Sequence, residues 1–509
     1  MGAQSDSHLI LVRFAGEVAI KARATRQYFL KRLSRNLKDA LKSHGIRGRL
    51  IRTHDRLYIE GVGSKALAPV SRVFGVQSLA LVEPRPWSSL DDLVAIGVEL
   101  TGDLLRGKRY AVRARRVGER ARIGISAREV ERRLGAALGP GSAGVDLSSP
   151  EVTVHLEIGP NRAYFYNDSL RGRGGLPVGV EGRAVALVSG GFDSAVAAWQ
   201  LLKRGVSLDY VFCNLGGRSH QLGTFRVIKR LADNWSYGSR PRLHAIDFDL
   251  LAQDLRLHCD ARYWQILLKR LMLRAADRVA RDRGALAIAT GDAIGQVSSQ
   301  TLPNLAVISE ATSLPILRPL VGLNKDEIIG RARDIGTYEL SRVVREYCAM
   351  VPSKPATAAT PAAVHAQEAR LDGALLDRVV AERGVFDLRA LELDKFDLPE
   401  LEVREIPEGA TLIDLRNKAA FQSWHHPGAL FLDFGAALRA YPSFERGRSY
   451  VLYCEFGLKS AHLAELMRRE GFEAYHFRGG LPDLLRYCRK RGSAVPDLPA
   501  HPDQASGLV

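Results

Sequence analysis

The chain has 509 residues, 46% hydrophobic and 25% charged, an ordinary balance for folded protein that allows three or four domains at roughly 150 residues each. Lys and Arg outnumber Asp and Glu by 73 to 56, a formal net charge of +17; such a field draws polyanions, with nucleic acid the leading partner and a merely arginine-rich surface the alternative. Five widely spaced cysteines (Cys213, Cys259, Cys348, Cys454, Cys488) exclude a secreted disulfide framework and paired Cys-x-x-Cys zinc ligands, and no apolar run reaches the roughly 18 residues of a membrane span, so the expected setting is the reducing cytoplasm, away from membranes.

In chain order, HLILVRF reads as a first strand and not as a signal peptide, because it lacks a basic leader and a cleavage site. From Thr25 to about Ser43, apolar Phe29, Leu33, Leu37 and Leu41 recur at helical spacing, and Gly45 ends the helix. Two short strands follow, giving a small α+β module over 1–80. A second module, 81–170, reads helix, strand, helix, then two strands across a turn at Gly159-Pro160-Asn161. Ser126 is the expected N-cap of its second helix, with Glu129 completing a capping box. The strand around KRYAVRARRVGER puts Arg113 and Arg115 on one face, with Arg116 just beyond, in a basic run that continues through Arg120. That stripe suits a phosphate backbone better than base reading.

Over 180–350, strands alternate with helices, which predicts a parallel, doubly wound α/β sheet. Its first strand runs into Ser189-Gly190-Gly191-Phe192-Asp193-Ser194 and then a helix. Glycines let the backbone turn tightly and aim N–H groups at phosphate oxygens, and the helix N-terminus adds its dipole. Ser189 and Ser194 offer hydroxyls; Asp193 would hold Mg²⁺ or orient the loop. No Gly-Lys-Ser/Thr follows, so this is not a Walker A loop. A fourth strand, ALAIATG, leads to Thr290-Gly291-Asp292 and on to Gln300 at the sheet's carboxyl edge, where ligands bind in such folds. Lys325 opens a later helix. The Pro-, Ala- and Thr-rich stretch 352–368 suggests that 351–399 is a semi-flexible linker.

Four short strands with helices between them make 400–495 a second, smaller α/β domain. In it Tyr453-Cys454-Glu455-Phe456-Gly457-Leu458-Lys459-Ser460 runs from a strand into a helix. A cysteine there sits among backbone N–H donors at the positive end of a helix, which stabilises a thiolate or persulfide. Cys348, just before the linker, is undistinguished on its own. Cys213, on a core strand, Cys259, and Cys488, after an apolar helix, look structural.

These segments together resemble the tRNA 4-thiouridine synthetase family linked to thiamine biosynthesis. The Ser-Gly-Gly-x-Asp-Ser loop resembles the PP-loop of ATP pyrophosphatases. The basic second module resembles a THUMP domain, preceded by a ferredoxin-like partner. The Cys454 loop, with Leu412–Arg416, His426–Ala429 and His476–Gly480, resembles a rhodanese. The resemblance implies an enzyme that uses ATP and Mg²⁺ to adenylate a tRNA uracil, at position 8, and replaces its oxygen with sulfur. It implies that Leu187, Val188, Ser189, Gly190, Gly191, Asp193, Ser194, Lys269, Gly291 and Gln300 contact ATP, and that Lys325 neutralises the departing pyrophosphate. It further implies that Cys454 carries a persulfide loaded by a cysteine desulfurase, that Cys348 resolves it by a disulfide with Cys454, and that a thiol reductant resets the pair. Arg113, Arg115, Arg116 and Arg120 would bind the RNA. Two other readings stay open: a sulfur relay to a sulfur-carrier protein of thiamine thiazole synthesis, which needs only the last domain, and a non-catalytic RNA-binding protein, against which the intact loop argues.

Overall fold

The computed structural model describes residues 9–53, 56–118, 122–342, 344, 354–396, 401–455, 457–492 and 495. It falls into two compact units: Met1–Gly182 with Leu201–Ser207 and Asn234–Ser239, and the remainder of the chain. Among the described residues no helix is long and apolar enough to cross a membrane.

The first unit is built on one mixed sheet. Its strands are β1 (Leu9–Phe14), β2 (Arg49–Arg52), β3 (Leu57–Glu60), β4 (Val76–Pro86), β5 (Tyr110–Arg116), β6 (Val152–Ile158), β7 (Arg162–Tyr166) and β8 (Leu170–Arg171), in the order β2-β3-β1-β4-β7-β6-β5 with β8 paired to β4. The eleven-residue β4 makes the sheet continuous, because it pairs with β1 along one part and with β7 further on. The Arg23–Ser43 helix lays Phe29, Leu33, Leu37 and Leu41 against Ile10 and Val12. Over the other end, the Leu90–Thr101 and Ala127–Leu138 helices bury Leu93, Val130 and Leu134 on Tyr110, Val112 and Val154. They approach so closely that a Cβ on Gly97 would stand 2.6 Å from Leu134 Cδ1. Ser126 accepts from the Glu129 N–H as expected; the full reciprocal box forms instead at Asn324 and Glu327. Buried Glu157 on β6 accepts from Arg13 Nε on β1 and from Arg56 Nε, each at 2.9 Å. That pair of ion contacts ties the two halves of the sheet together.

The second unit holds two sheets. The larger comprises β9 (Arg183–Leu187), β10 (Ser207–Asn214), β11 (Arg242–Asp247), β12 (Ile288–Ala289), β13 (Ile316–Leu317) and β14 (Gly384–Asp387), in the order β13-β12-β9-β10-β11-β14. β12 runs parallel to β13 and β9, and β10 runs parallel to β11. The Trp264–Arg283 helix fills the core beside it with one face, Ile266, Leu267 and Leu271 among its residues. The predicted fourth strand shortens to two residues, and beyond it the Thr290 N–H still donates to Leu317 O of β13 at 3.0 Å.

The expectation of a linker over 351–399 is corrected for the described residues 354–396. Pro361–Glu368 and Leu375–Ala381 are helices, and β14 adds to the sheet antiparallel to β11. Thr360 caps the first helix and Pro361 opens it, a favoured start signal. Val364, Leu375, Val379 and Val380 are buried in the sheet's core cluster. Glu368 accepts from buried Arg270 Nε at 2.8 Å and Nη2 at 2.9 Å, and from Arg274 Nη2 at 2.8 Å, so this segment is bolted down.

The smaller sheet is all parallel, β15 (Glu402–Val403), β16 (Thr411–Asp414), β17 (Leu430–Phe431), β18 (Ser449–Tyr453) and β19 (Glu473–Phe477), in the order β15-β19-β18-β16-β17. It has one strand more than the four expected, the two-residue β15. Cys488 lies within the Leu481–Lys490 helix, not after it, and Cys213 is buried on β10 as expected.

Candidate active site

Leu187 closes β9, and the Val188 N–H is donated to Val211 O at 2.9 Å, which keeps the chain in the sheet up to the loop. Beyond it, the Ser189 N–H points to Ser194 Oγ at 3.3 Å, and the Ser194 hydroxyl donates to Gly191 O at 3.2 Å. The loop is therefore held from within by its own serines. Gly190 has φ +77°, and a Cβ there would come within 2.9 Å of Thr224 Oγ1, so only glycine fits both the backbone and the space. Gly291 is required for a different reason: its Cβ would stand 2.8 Å from the backbone of Asp193 and Ser194. The two Gly-bearing segments predicted from sequence thus abut at the start of the Phe192–Lys203 helix.

Lys325 crosses to the same place. Its Nζ donates to Asp193 Oδ1 at 2.8 Å and Oδ2 at 3.0 Å, and Gln296 Nε2 donates to Oδ2 at 3.3 Å. Asn324 caps the Lys325 helix through a full capping box, which fixes the lysine at its first turn.

Lys269 and Gln300 are also brought together, through a residue that the sequence reading passed over. Asp292 Oδ1 accepts from Lys269 Nζ at 2.8 Å and from Gln300 Nε2 at 3.2 Å; its Oδ2 accepts from the Thr290 hydroxyl at 2.7 Å, with Arg318 Nε at 3.6 Å. Burial alone would raise this carboxyl, but Lys269, the Thr290 bond and Arg318 outweigh it and hold it below the ordinary carboxylate range. Beside it, the Gln300 side-chain oxygen is buried without a hydrogen-bond partner among the described residues. His220 sits behind the loop with Nε2 3.4 Å from Ser189 O, and burial pushes its imidazole down to about 4.

In the smaller sheet, Cys454 follows β18 directly. Its Sγ lies 3.5 Å from Ser460 Oγ, and that hydroxyl donates to Gly457 O at 3.0 Å. Gly457, at φ +87°, turns the chain into the Leu458–Arg469 helix, so the thiol faces a helix N-terminus as the spacing predicted. Lys459 is engaged with Glu455 at 2.9 Å. Behind the loop, the buried Asp414–Arg416 pair is bidentate, with Nε–Oδ1 at 3.0 Å and Nη2–Oδ2 at 2.7 Å. Cys348 lies outside the described residues, and so does Arg120. In the other unit, Arg113 and Arg115 are exposed on β5 and Arg116 is half-buried; Arg113 Nη2 donates to Leu147 O at 2.7 Å.

A family model described as thiamine biosynthesis protein (ThiI) matches residues 179–372, the ThiI ferredoxin-like domain matches 9–80, the THUMP domain 88–168 and the rhodanese-like domain 400–486. The tRNA sulfurtransferase of Pyrobaculum aerophilum is 38% identical over 475 residues, covering 92% of this chain and 96% of that protein. The chain belongs to the tRNA sulfurtransferase family. The tRNA sulfurtransferase of Pseudomonas aeruginosa is 36% identical over 478 residues, 91% of this chain and 98% of its own length. A solved 4-thiouridine synthetase, in a complex with RNA and bound ATP, shares 28% identity at a TM-score of 0.65 and covers 75% of this chain and 99% of that one. Ferredoxin-like, THUMP, ThiI and rhodanese-like modules therefore follow one another along the chain as the motifs implied.

Proposed function

We propose that this chain is an ATP-dependent sulfurtransferase that converts a tRNA uridine, position 8 by family resemblance, to 4-thiouridine. The observation that carries it is the presence, in one compact unit, of a phosphate cradle closed by Lys325 on Asp193 and a thiol cradle around Cys454. Either one alone would leave the chemistry open.

The uracil C4 oxygen is a poor leaving group. Its attack on the ATP α-phosphate forms C4–O–AMP and expels pyrophosphate, and AMP then leaves easily. The Gly190 N–H and the N-terminus of the Phe192–Lys203 helix would hold phosphate. Lys325 would exchange Asp193 for the departing pyrophosphate, and Asp292 would keep Lys269 and Gln300 directed at the nucleotide. Mg²⁺ fits this loop, since that ion takes one or two carboxylates plus substrate phosphates. Asp193 supplies such a carboxylate, and no group of three or more metal-binding side chains occurs among the described residues. When bound, the ion would offset triphosphate charge. Arg113, Arg115 and Arg116 would hold the RNA backbone.

In the second half, a cysteine desulfurase loads Cys454 as Cys-S-SH. The terminal sulfur attacks C4 and AMP leaves, giving a Cys454–S–S–C4 link. The Cys348 thiolate then attacks Cys454 Sγ, which releases the thiocarbonyl and forms a Cys348–Cys454 disulfide. Two electrons from a thiol reductant, as the reducing cytoplasm provides, restore both thiols.

The test is tRNA-dependent release of pyrophosphate from ATP. Release from the wild type and its loss in Lys325→Ala support the reading; equal release from both would remove Lys325 from the chemistry. The ThiI description of the matching model favours a second activity, sulfur relay to a sulfur-carrier protein for thiazole synthesis. That activity would survive Asp193→Ala and fail in Cys454→Ser.

A further inference from the structure

The Leu458–Arg469 helix that starts at the Cys454 loop has two buried faces. Leu463, Ala464 and Met467 enter the core of the smaller sheet. His462, Glu465 and Arg469 share another face, at i, i+3 and i+7, and His462 and Glu465 are buried there although polar. A buried carboxylate is costly unless it is fully paired, and Glu465 finds its partners in the ATP-binding part of the unit. The Arg218 N–H donates to Glu465 Oε1 at 3.2 Å and Oε2 at 3.1 Å, and the Ser219 N–H donates to Oε2 at 3.4 Å. These amides open the Gly217–Trp235 helix, which follows β10 almost directly, so the carboxylate meets both unsatisfied donors and the positive end of the helix dipole.

Three further contacts serve the same junction. Gly217 has φ +66°, and a Cβ there would stand 2.7 Å from Glu465 Oε2, so the carboxylate's approach requires glycine. Arg469 Nη2 donates to Glu465 Oε1 at 3.0 Å, and its Nη1 lies 3.7 Å from Asp249 Oδ2, at the start of the Asp249–His258 helix. His462 hydrogen-bonds with the Gly216 backbone and faces His220, whose ring approaches Ser189 O of the phosphate loop. One helix thus carries the persulfide loop at its start and touches the phosphate loop's support along its side.

We propose that Glu465 is a positioning residue that docks the sulfur-carrying domain on the ATP domain, and that sulfur passes to the activated uracil from this docked arrangement. The inference rests on the sulfurtransferase reading above. The His462, Glu465 and Arg469 stripe is unnecessary to the smaller domain's own core, which the opposite face supplies.

The test compares full-length wild type, Glu465→Gln and Glu465→Ala in four measurements: amide hydrogen exchange at Arg218 and Ser219, persulfide loading of Cys454 by a desulfurase with cysteine, tRNA-dependent pyrophosphate release, and 4-thiouridine formation. In Glu465→Ala the two amides should exchange faster, loading and pyrophosphate release should stay at the wild-type level, and 4-thiouridine formation should fall about tenfold, the effect of losing one charge-assisted contact. Glu465→Gln should lie between. Unchanged exchange would mean that the contact does not form in solution, and unchanged product would mean that transfer does not use it; either overturns the proposal. A parallel fall in loading or pyrophosphate release would make Glu465 a folding residue only. Failure of the wild type to form 4-thiouridine would bring down the sulfurtransferase reading itself, whereas normal product in both wild type and variants brings down this inference alone.

Discussion

Asp292 organises the Lys269 and Gln300 side of the candidate site more than any residue the motifs single out. It takes Lys269, Gln300 and Thr290 as hydrogen-bond donors, with Arg318 close by. Replacing it by Asn keeps the shape and removes the charge that orients Lys269. We expect Asp292→Asn to raise the KM for ATP about tenfold or more, since charge-assisted hydrogen bonds contribute roughly 1.5–3 kcal/mol, with kcat less affected; steady-state pyrophosphate release checks this, and an unchanged KM would contradict it. The glycines and serines of the loop were legible in the sequence because their spacing is local. Asp292 was not, because its meaning depends on partners delivered by other elements. The register of Gly291 against the Asp193–Ser194 backbone is likewise a fact of packing. Cys454 could be read because its cradle, from β18 to Ser460, is a single short stretch of chain.

At the level of elements, the segment read as a linker shows where composition misleads. Alanine is the best helix former, so TPAAVHAQE, with a Thr cap and Pro at the first position, carries helix signals that its Pro, Ala and Thr content masks. What holds the helix is the Arg270–Glu368–Arg274 cluster, with Arg270 only 2% exposed. Glu368→Ala would leave that buried guanidinium with only Glu310 as a carboxylate neighbour, 3.8 Å from Nη1. The expected cost is about 3–5 kcal/mol, the usual result of breaking a buried pair, read as a lower urea midpoint; a change under about 1 kcal/mol would mean the cluster is dispensable. Strand β5 makes a separate prediction. Its alternation exposes Arg113 and Arg115 as read from the sequence, and phosphate contacts set the salt dependence of RNA binding. The double replacement by Ala should weaken tRNA binding and lower the slope of log affinity against log salt by about one per arginine lost. An unchanged slope would take this strand out of the interface.

At the scale of the whole molecule, the order of modules was legible because each announces itself by a local pattern, whereas the contacts that join them were not, because they pair residues from distant stretches. Glu157 between Arg13 and Arg56, and Glu465 on the Gly217–Trp235 helix, are of this kind. Buried histidines also link the fold to pH. His220, His244, His462 and His476 are all pushed down to about 4, chiefly by burial. In the unfolded chain they titrate near 6.5, so between about pH 6.5 and 4 the unfolded state binds the extra protons. Their contribution is complete above about pH 6.5 and is lost progressively as pH falls toward 4. Urea midpoints should therefore decline over that window, and a flat profile would contradict the burial. The central claim, that ATP activation and Cys454 sulfur serve one reaction, is tested most directly by 4-thiouridine absorbance in unmodified tRNA. The tRNA is incubated with ATP, Mg²⁺, a desulfurase and cysteine, using wild type, Asp193→Ala and Cys454→Ser. The account predicts product from the wild type and from neither variant; product surviving Cys454→Ser, or none from the wild type, would contradict it.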